Sequence, residues 1–200
     1  MEIPYSSLNL ATLYTRERSG RWQGQQAGDT IAVADWPVPH RHPLLPLQLS
    51  ASDPSSYLLR IENPHSFSAP LRFVTERAVN QREQRASLAL GIYFGLAGLT
   101  AAVSLLSGAS LRDSSYWLYV VSVLLMGLSQ AAMTGIAGLH LWPHQPWWND
   151  LSPLILPVLA VGAVLRFFSE VVSLPERSPA LHRVISGLSI LSLVTAGGIT

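Results

Sequence analysis

The second half of the chain contains four long apolar stretches separated by short polar segments. Residues 86–111 and 114–139 each hold 26 residues without a charged side chain or a histidine. Residues 151–174 and 184–200 form two further apolar stretches. Because about 20 apolar residues in a helix cross a bilayer, the pattern predicts four membrane spans. They are expected near residues 86–109, 115–138, 151–173 and 184–200.

Residues 1–79 follow a different pattern, in which apolar and polar residues alternate with a period of two. The candidate strands are residues 8–15, 46–50, 57–62 and 71–76. Eight of the 14 prolines lie between Pro4 and Pro70, and proline favours loops and edge strands. The Gly- and Gln-rich residues 19–29 are predicted to be a connection. We therefore predict a partial all-β sandwich over residues 1–79 and a polar linker at residues 80–85, followed by a transmembrane helical region over residues 86–200.

Charge is distributed unevenly along the chain, and this supports the division into two parts. Of the 25 Asp, Glu and Arg side chains, 17 lie in residues 1–85 and eight in residues 86–200. Eight charges are too few to solvate a soluble domain of that length, so the lipid bilayer is the expected partner. With 13 basic and 12 acidic residues and no basic run, nucleic-acid binding is not expected. The absence of cysteine excludes disulfides, a thiolate nucleophile and cysteine-based metal sites.

The short loops predict the orientation of the spans. Arg112 follows the first span, and Arg177 and Arg183 follow the third, whereas residues 138–150 contain no arginine. By the positive-inside rule, the first and third loops lie in the cytoplasm and residues 1–85 lie outside. Arginines just before the first span argue the other way. We predict a multi-pass membrane protein whose polar head lies outside the cytoplasm.

Small and charged residues within the spans are candidates for helix packing. Gly91 and Gly95 form a G-x-x-x-G motif, followed by Gly98, which permits close approach of helices within the bundle or across a homodimer. Arg166 and Glu170 are one helical turn apart and are predicted to form an ion pair. Because both fall near the cytoplasmic end of the third span, a structural role is favoured over a functional one. Six aromatic residues at span ends are predicted to be interfacial anchors: Tyr116, Trp117, Tyr119, Trp142, Trp147 and Trp148.

A few residues of the head are candidates for binding a ligand. Trp22 and Trp36 could stack on a sugar ring, although core packing or loop anchoring is the alternative. His40 and His42 could place two imidazoles on one face of a strand, but prolines surround them and the sequence offers no third ligand. His140 and His144 have helical spacing, yet Pro143 interrupts the helix that would align them. No metal site, cofactor or catalytic residue is predicted.

Several short motifs, taken in order, give the chain a family resemblance. They are YLLRIE at 57–62, GIYFGL at 91–96, LRDSSYWLY at 111–119, Gly135, and LWP at 141–143. In this order the chain resembles the bacterial seven-transmembrane receptors with diverse intracellular signalling modules. Ser104 departs from the family pattern, in which asparagine is expected.

The resemblance implies an extracellular jelly-roll domain followed by about four of the family's seven helices. It also implies a sensor for an extracytoplasmic, carbohydrate-like molecule, with a diguanylate cyclase or histidine kinase beyond Thr200 as its output. This chain is then not an enzyme. A transporter or channel subunit is the alternative, and it would need ionisable residues at mid-membrane. A membrane enzyme is the third class, and the chain lacks a catalytic cluster.

Overall fold

The chain divides into two compact units. A computed structural model describes residues 1–16, 20–47, 56–63, 70–173, 176 and 178–199. What we call the head unit consists of Met1–Val79 and Ala131–Asp150, and the helical unit consists of Asn80–Gln130 and Leu151–Thr200. Each unit is thus built from two separate stretches of the sequence.

The head unit contains a three-stranded antiparallel sheet. Its strands are β1 (Leu10–Arg16), β2 (Trp22–Ala27) and β3 (Tyr57–Glu62), in the order β2-β1-β3. Leu13 in β1 lies opposite Gln25 in β2 and Leu59 in β3. Strands β1 and β3 correspond to the predicted strands at residues 8–15 and 57–62.

The other predictions for the head differ from the structure. β2 lies in the stretch predicted to be a connection, because an edge strand can be held by backbone pairing with β1 without an alternating apolar pattern of its own. Residues 71–76 form no strand, and Arg72 makes only an isolated bridge with Glu2. In the predicted strand at 46–50, residues 46–47 are not in a strand, and residues 48–50 lie outside the described part of the chain.

Apolar side chains from the first segment, β1 and the loops pack into one core in the head unit. Leu13 of β1 is 1% exposed, and Ile3, Leu8 and Leu45 are fully buried. Leu139, from the stretch between the second and third predicted spans, packs against the same core. This stretch is therefore part of the head's hydrophobic packing.

The described residues contain five α-helices, four of them long and apolar enough to cross a membrane. The helices are α1 (Glu76–Leu111), α2 (Ser114–Met133), α3 (Ile136–His140), α4 (Pro146–Val171) and α5 (Pro179–Ile199). The short helix is α3. The structure confirms the predicted fold class, a small β-structured head followed by a helical membrane region.

Two predicted segments differ from the structure in their helical bounds. The segment predicted as a linker, residues 80–85, is helical because α1 begins at Glu76, in a run of Arg, Gln, Glu and Ala that favours helix. Thr75 caps this helix, since its Oγ1 accepts a hydrogen bond from the Ala78 backbone N–H at 3.3 Å. The second span was predicted to reach residue 138, but α2 ends at Met133 because Gly135 has a φ of 76° and turns the chain into α3.

Candidate functional site

One face of the three-stranded sheet lies away from the apolar core. The register places Tyr14 opposite Gly24 and Leu58, and Arg16 opposite Trp22. Because side chains alternate along a strand, these residues share the face opposite to that of Leu13. Trp22 is 47% exposed on the edge strand β2, and Leu58 is 57% exposed on β3.

Polar groups and a tyrosine ring accompany these exposed side chains. A Cβ atom at Gly24 would lie 3.3 Å from Tyr14 Cε1, so glycine makes room for the ring. Thr12 Oγ1 accepts a hydrogen bond from Gln26 Nε2 at 3.4 Å, and Arg60 Nε lies 3.0 Å from Glu62 Oε1. The face combines aromatic surface with hydrogen-bonding groups. We call it the outer sheet face.

The structure does not bring Trp36 to the outer sheet face. Trp36 is 5% exposed and belongs to the core. Its indole N–H donates to the backbone carbonyls of Gly28 and Ile31, each at 3.2 Å. Of the two tryptophans predicted to stack on a ligand, only Trp22 presents its ring to solvent.

The His40 and His42 side chains lie near each other, with a carboxylate that the sequence did not suggest. His40 Nδ1 accepts a hydrogen bond from the His42 backbone N–H at 3.2 Å, and His42 Nδ1 lies 3.7 Å from Glu2 Oε1. Burial, then Arg41 and His40, lower the pKa of His42, while Glu2 opposes them. The described residues include no group of three or more side chains placed to hold a metal ion.

The chain between α2 and α4 is built into the head unit. Ser6 Oγ donates to the Met133 carbonyl at 2.9 Å, and the Ala34 backbone N–H donates to the Pro143 carbonyl at 3.2 Å. We call Ala131–Asp150 the docked loop. This arrangement has no signal in the sequence, because the residues that contact each other are far apart in the chain. His140 ends α3, so no continuous helix aligns it with His144.

A buried carboxyl group joins the head to the start of α4. Asp29 is 1% exposed, and its Oδ1 accepts a hydrogen bond from Asn149 Nδ2 at 2.7 Å. Its other oxygen, Oδ2, is buried and has no hydrogen-bond partner among the described residues. Burial, with a smaller contribution from Asp150, raises the pKa of Asp29 to about 8. Neither Asp29 nor Asn149 was a candidate from the sequence.

In the helical unit, other glycines than the predicted ones lie against a neighbouring helix. Among the described residues, a Cβ built at Gly91, Gly95 or Gly98 meets no heavy atom within 4 Å beyond its own turn of helix, and packing of these glycines across a homodimer stays a prediction. By contrast, a Cβ at Gly108 of α1 would lie 3.0 Å from Tyr116 Cβ of α2, and Gly162 of α4 contacts the Ser192 hydroxyl of α5. Small residues at helix contacts are recognisable in the sequence, but which of them face a neighbour is decided by packing.

Glu170 is held by a hydroxyl group in place of the predicted ion pair. Its Oε1 accepts a hydrogen bond from Ser114 Oγ at 3.2 Å, and no salt bridge with Arg166 is found between these described residues. Arg166 instead lines a cavity of about 520 Å³ whose other walls are mostly apolar side chains of α2, α4 and α5. Nearby, His182 Nδ1 lies 3.0 Å from Ser169 Oγ and His182 Nε2 lies 3.4 Å from Ser186 Oγ.

The predicted aromatic anchors fall at helix ends. Tyr116, Trp117 and Tyr119 lie in the first turns of α2, and the Tyr119 ring centroid is 5.3 Å from that of Phe167. Trp142, Trp147 and Trp148 lie in the docked loop, where the Trp148 ring centroid is 6.1 Å from Trp142 and 6.0 Å from Trp147. An anchoring role at the membrane surface stays a prediction.

Comparison with known families agrees with this two-part architecture. The model of the family described as 7TM diverse intracellular signalling matches residues 86–200, which is more than half of the chain. The chain belongs to the 7TM diverse intracellular signalling family. A second model, 7TMR-DISM extracellular 2, matches residues 1–75, and the resemblance inferred from the sequence is thereby confirmed. No curated protein and no solved structure matches the chain significantly.

Membership of the 7TM diverse intracellular signalling family makes this a multi-pass membrane sensor with an extracellular domain. The residues matched to that domain lie in the head unit together with the docked loop. Positive-inside reasoning places the docked loop and the sensing domain on one side of the membrane, and this placement stays a prediction.

Proposed function

We propose that this chain is the sensing and transmitting part of a receptor. The head binds a small, carbohydrate-like molecule in the periplasm. The helices then relay binding to a cytoplasmic output module, such as a diguanylate cyclase or a histidine kinase, that follows them in the natural protein. Membership of the 7TM diverse intracellular signalling family supports the sensor role, and the ligand and the output belong to the proposal.

The attachment of the docked loop to the head is the observation that carries this proposal. The docked loop includes the last residues of α2 and the first turn of α4. Hydrogen bonds donated by Ser6, Ala34 and Asn149 connect it to the rest of the head. A ligand that favours one packing of the head therefore acts directly on two membrane helices. This is how a binding preference becomes a shift between two helix arrangements.

The distribution of arginine supports a periplasmic head. Arg112 lies between α1 and α2, and Arg183 lies in the first turns of α5, whereas the docked loop contains no arginine. Cytoplasmic loops are enriched in basic residues. The head and the docked loop are accordingly assigned to the periplasm of a bacterial inner membrane.

The outer sheet face is the proposed ligand surface. An exposed tryptophan supplies a flat apolar surface for the carbon–hydrogen face of a sugar ring. Gln26, Arg60 and Glu62 lie on the same face and offer donors and acceptors for hydroxyl groups. Such a surface combines a stacking platform with a few polar groups, as small-molecule sites generally do.

Calorimetric titration tests the ligand surface. Maltohexaose, cellohexaose and chitohexaose are added to the purified chain in detergent, and we expect at least one to bind. Trp22→Ala should weaken that binding about tenfold, because a lost aromatic contact costs on the order of 1.4 kcal/mol. Trp147→Ala, which removes another exposed tryptophan, should leave it unchanged. Equal binding by wild type and Trp22→Ala would contradict the assignment, and so would the failure of all three sugars to bind.

A membrane assay of the natural full-length protein tests the receptor role. Cyclic-dinucleotide synthesis, phosphotransfer and solute uptake are measured in parallel. Ser6→Ala removes a hydrogen bond to the docked loop, so it should alter the output rate. Ser7→Ala, at the adjacent serine, is the matched control. Uptake of solute with no output response would favour the alternative, a transporter or channel subunit.

A further inference from the structure

The polypeptide around Asp29 is fixed by its backbone. The Asp29 N–H donates to the Leu8 carbonyl at 2.8 Å. Gly28, just before it, has a φ of 148°, and its Cα is so close to the Asn9 carbonyl that no side chain would fit. The carboxyl group of Asp29 is 1% exposed, so it lies in the interior of the head unit while its contact with Asn149 is in place.

Asn149 reaches this carboxyl group from the first turn of α4, and Gly138 makes room for it. A Cβ at position 138 would collide with Asn149 Oδ1. With glycine there, Asn149 Nδ2 donates to Asp29 Oδ1 at 2.7 Å. The contact therefore brings together three segments: the residues that follow β2, the helix α3 and the first turn of α4.

The surroundings of Asp29 suit the neutral acid better than the carboxylate. As a neutral acid, Asp29 has a carbonyl oxygen that accepts the Asn149 hydrogen bond, and its Oδ2 hydroxyl group buries no net charge. As a carboxylate, Asp29 buries a negative charge, and its Oδ2 has no hydrogen-bond partner among the described residues. Asp150 of α4 adds a second negative charge nearby. Burying an unpaired charge in this way costs free energy. Burial and Asp150 together raise the pKa of Asp29 to about 8.

We infer that Asp29 and Asn149 form a proton-dependent tie between the head and α4, closed with a proton on Asp29 and opened by its loss. Opening lets the carboxylate reach water and frees the first turn of α4. The tie gives the receptor a response to periplasmic pH in addition to its ligand. Only the effect on output rests on the proposed function, because the tie itself is defined within the head unit.

The direction of the pH effect follows from the two pKa values. Asp29 binds its proton more tightly in the closed tie, where its pKa is about 8, than when exposed, where it is ordinarily 3.8. The closed tie is fully stable below that lower value and loses stability as pH rises toward 8. Between these two pKa values, the equilibrium constant for opening the tie should rise by up to about tenfold per pH unit. Above the higher pKa, no further change is expected.

Infrared difference spectroscopy tests the proton directly. The purified chain in lipid nanodiscs should show a protonated-carboxyl band at pH 6 that is lost by about pH 9, well above the ordinary range. The band should be absent in Asp29→Asn and present in Asp35→Asn, which removes an exposed carboxylate. Asp150→Asn should lower the titration midpoint. A wild-type spectrum at pH 6 identical to that of Asp29→Asn would overturn the proposal.

Hydrogen–deuterium exchange tests the tie. After correction for intrinsic exchange, the amides of residues 149–152 should exchange faster in wild type at pH 8 than at pH 6. Asp29→Asn should remain protected at both values, whereas Asn149→Ala should exchange fast at both because the tie lacks its donor. The same pH dependence in Asp29→Asn as in wild type would show that another group is responsible. Neither measurement uses a sugar or an output enzyme, so failure of the proposed ligand would leave both results interpretable.

Discussion

Gly135 ends the turn that directs the chain from α2 into the docked loop. Its φ of 76° lies in the left-handed region, and a Cβ there would collide with the Arg41 carbonyl. Two independent constraints, one of conformation and one of space, therefore require glycine at this position. The sequence singled out Gly135 as part of a family motif, but its steric partner is visible only in the structure.

Gly135→Ala is expected to lower the free energy of unfolding by about 1–3 kcal/mol, through backbone strain and displacement of Arg41. Gly127→Ala in α2 is the matched control, because a Cβ at Gly127 meets no heavy atom of the described residues within 4 Å beyond its own turn of helix. That change should be neutral or stabilise the helix by up to about 1 kcal/mol. Denaturant unfolding of the detergent-solubilised chain measures both. An equal loss in both variants would contradict the steric explanation.

The two head tryptophans differ in burial, and their substitution should differ accordingly. Trp36→Ala removes a core side chain and two hydrogen bonds from its indole N–H, and should cost about 3–5 kcal/mol. Trp22→Ala, on the exposed face, should change stability by no more than about 0.5 kcal/mol. Thermal unfolding of both variants gives the comparison. A large loss in Trp22→Ala would mean that this ring packs in the fold and does not serve as a ligand platform.

At the scale of elements, the helices begin and end where caps and glycines dictate. α1 extends to Glu76 because Thr75 caps it and good helix formers follow. α4 begins at Pro146, which suits a first turn since it needs no N–H there. The partner of Glu170 could not be predicted in this way, because i,i+4 spacing suggests Arg166 whereas the structure places Ser114 of α2 beside it.

A double-mutant cycle distinguishes these partners of Glu170. Ser114→Ala and Glu170→Ala should be coupled by about 1 kcal/mol, since each removes one end of the same hydrogen bond. Arg166→Ala and Glu170→Ala should show coupling close to zero. Unfolding of the single and double variants gives both energies. A larger coupling for the arginine pair would restore the predicted ion pair.

At the scale of the whole molecule, the head is discontinuous in sequence. The charge distribution and the apolar pattern predict a change of character at residues 80–85, and the helical unit starts at Asn80. The return of Ala131–Asp150 to the head was not predicted, because this stretch has the aromatic and proline content of an ordinary membrane loop. Its membership of the head unit depends on Leu139, Asn149 and Pro143 meeting residues from the first half.

Cysteine labelling tests this topology, and the absence of native cysteine makes each introduced thiol unique. Gln23→Cys in the head and His144→Cys in the docked loop should react with an impermeant maleimide in spheroplasts. Glu176→Cys, between α4 and α5, should react only after permeabilisation. All three positions are exposed in the structure, so access should depend on the membrane alone. Opposite labelling of positions 23 and 144 would contradict the docked loop, and joint protection of both would place the head in the cytoplasm.

The amino-acid sequence by itself determined the order of a polar β-structured head and four apolar helices. Those features follow from local periodicity and from the free energy of placing apolar or charged side chains in lipid or water, both of which can be read residue by residue. The tertiary structure alone decided that Trp36 is core and Trp22 is exposed, that Gly108 meets a neighbouring helix, and that Asp29 meets Asn149. These outcomes depend on contacts between residues distant in the chain, and a single sequence carries no local signal for which of many compatible contacts the folded chain makes.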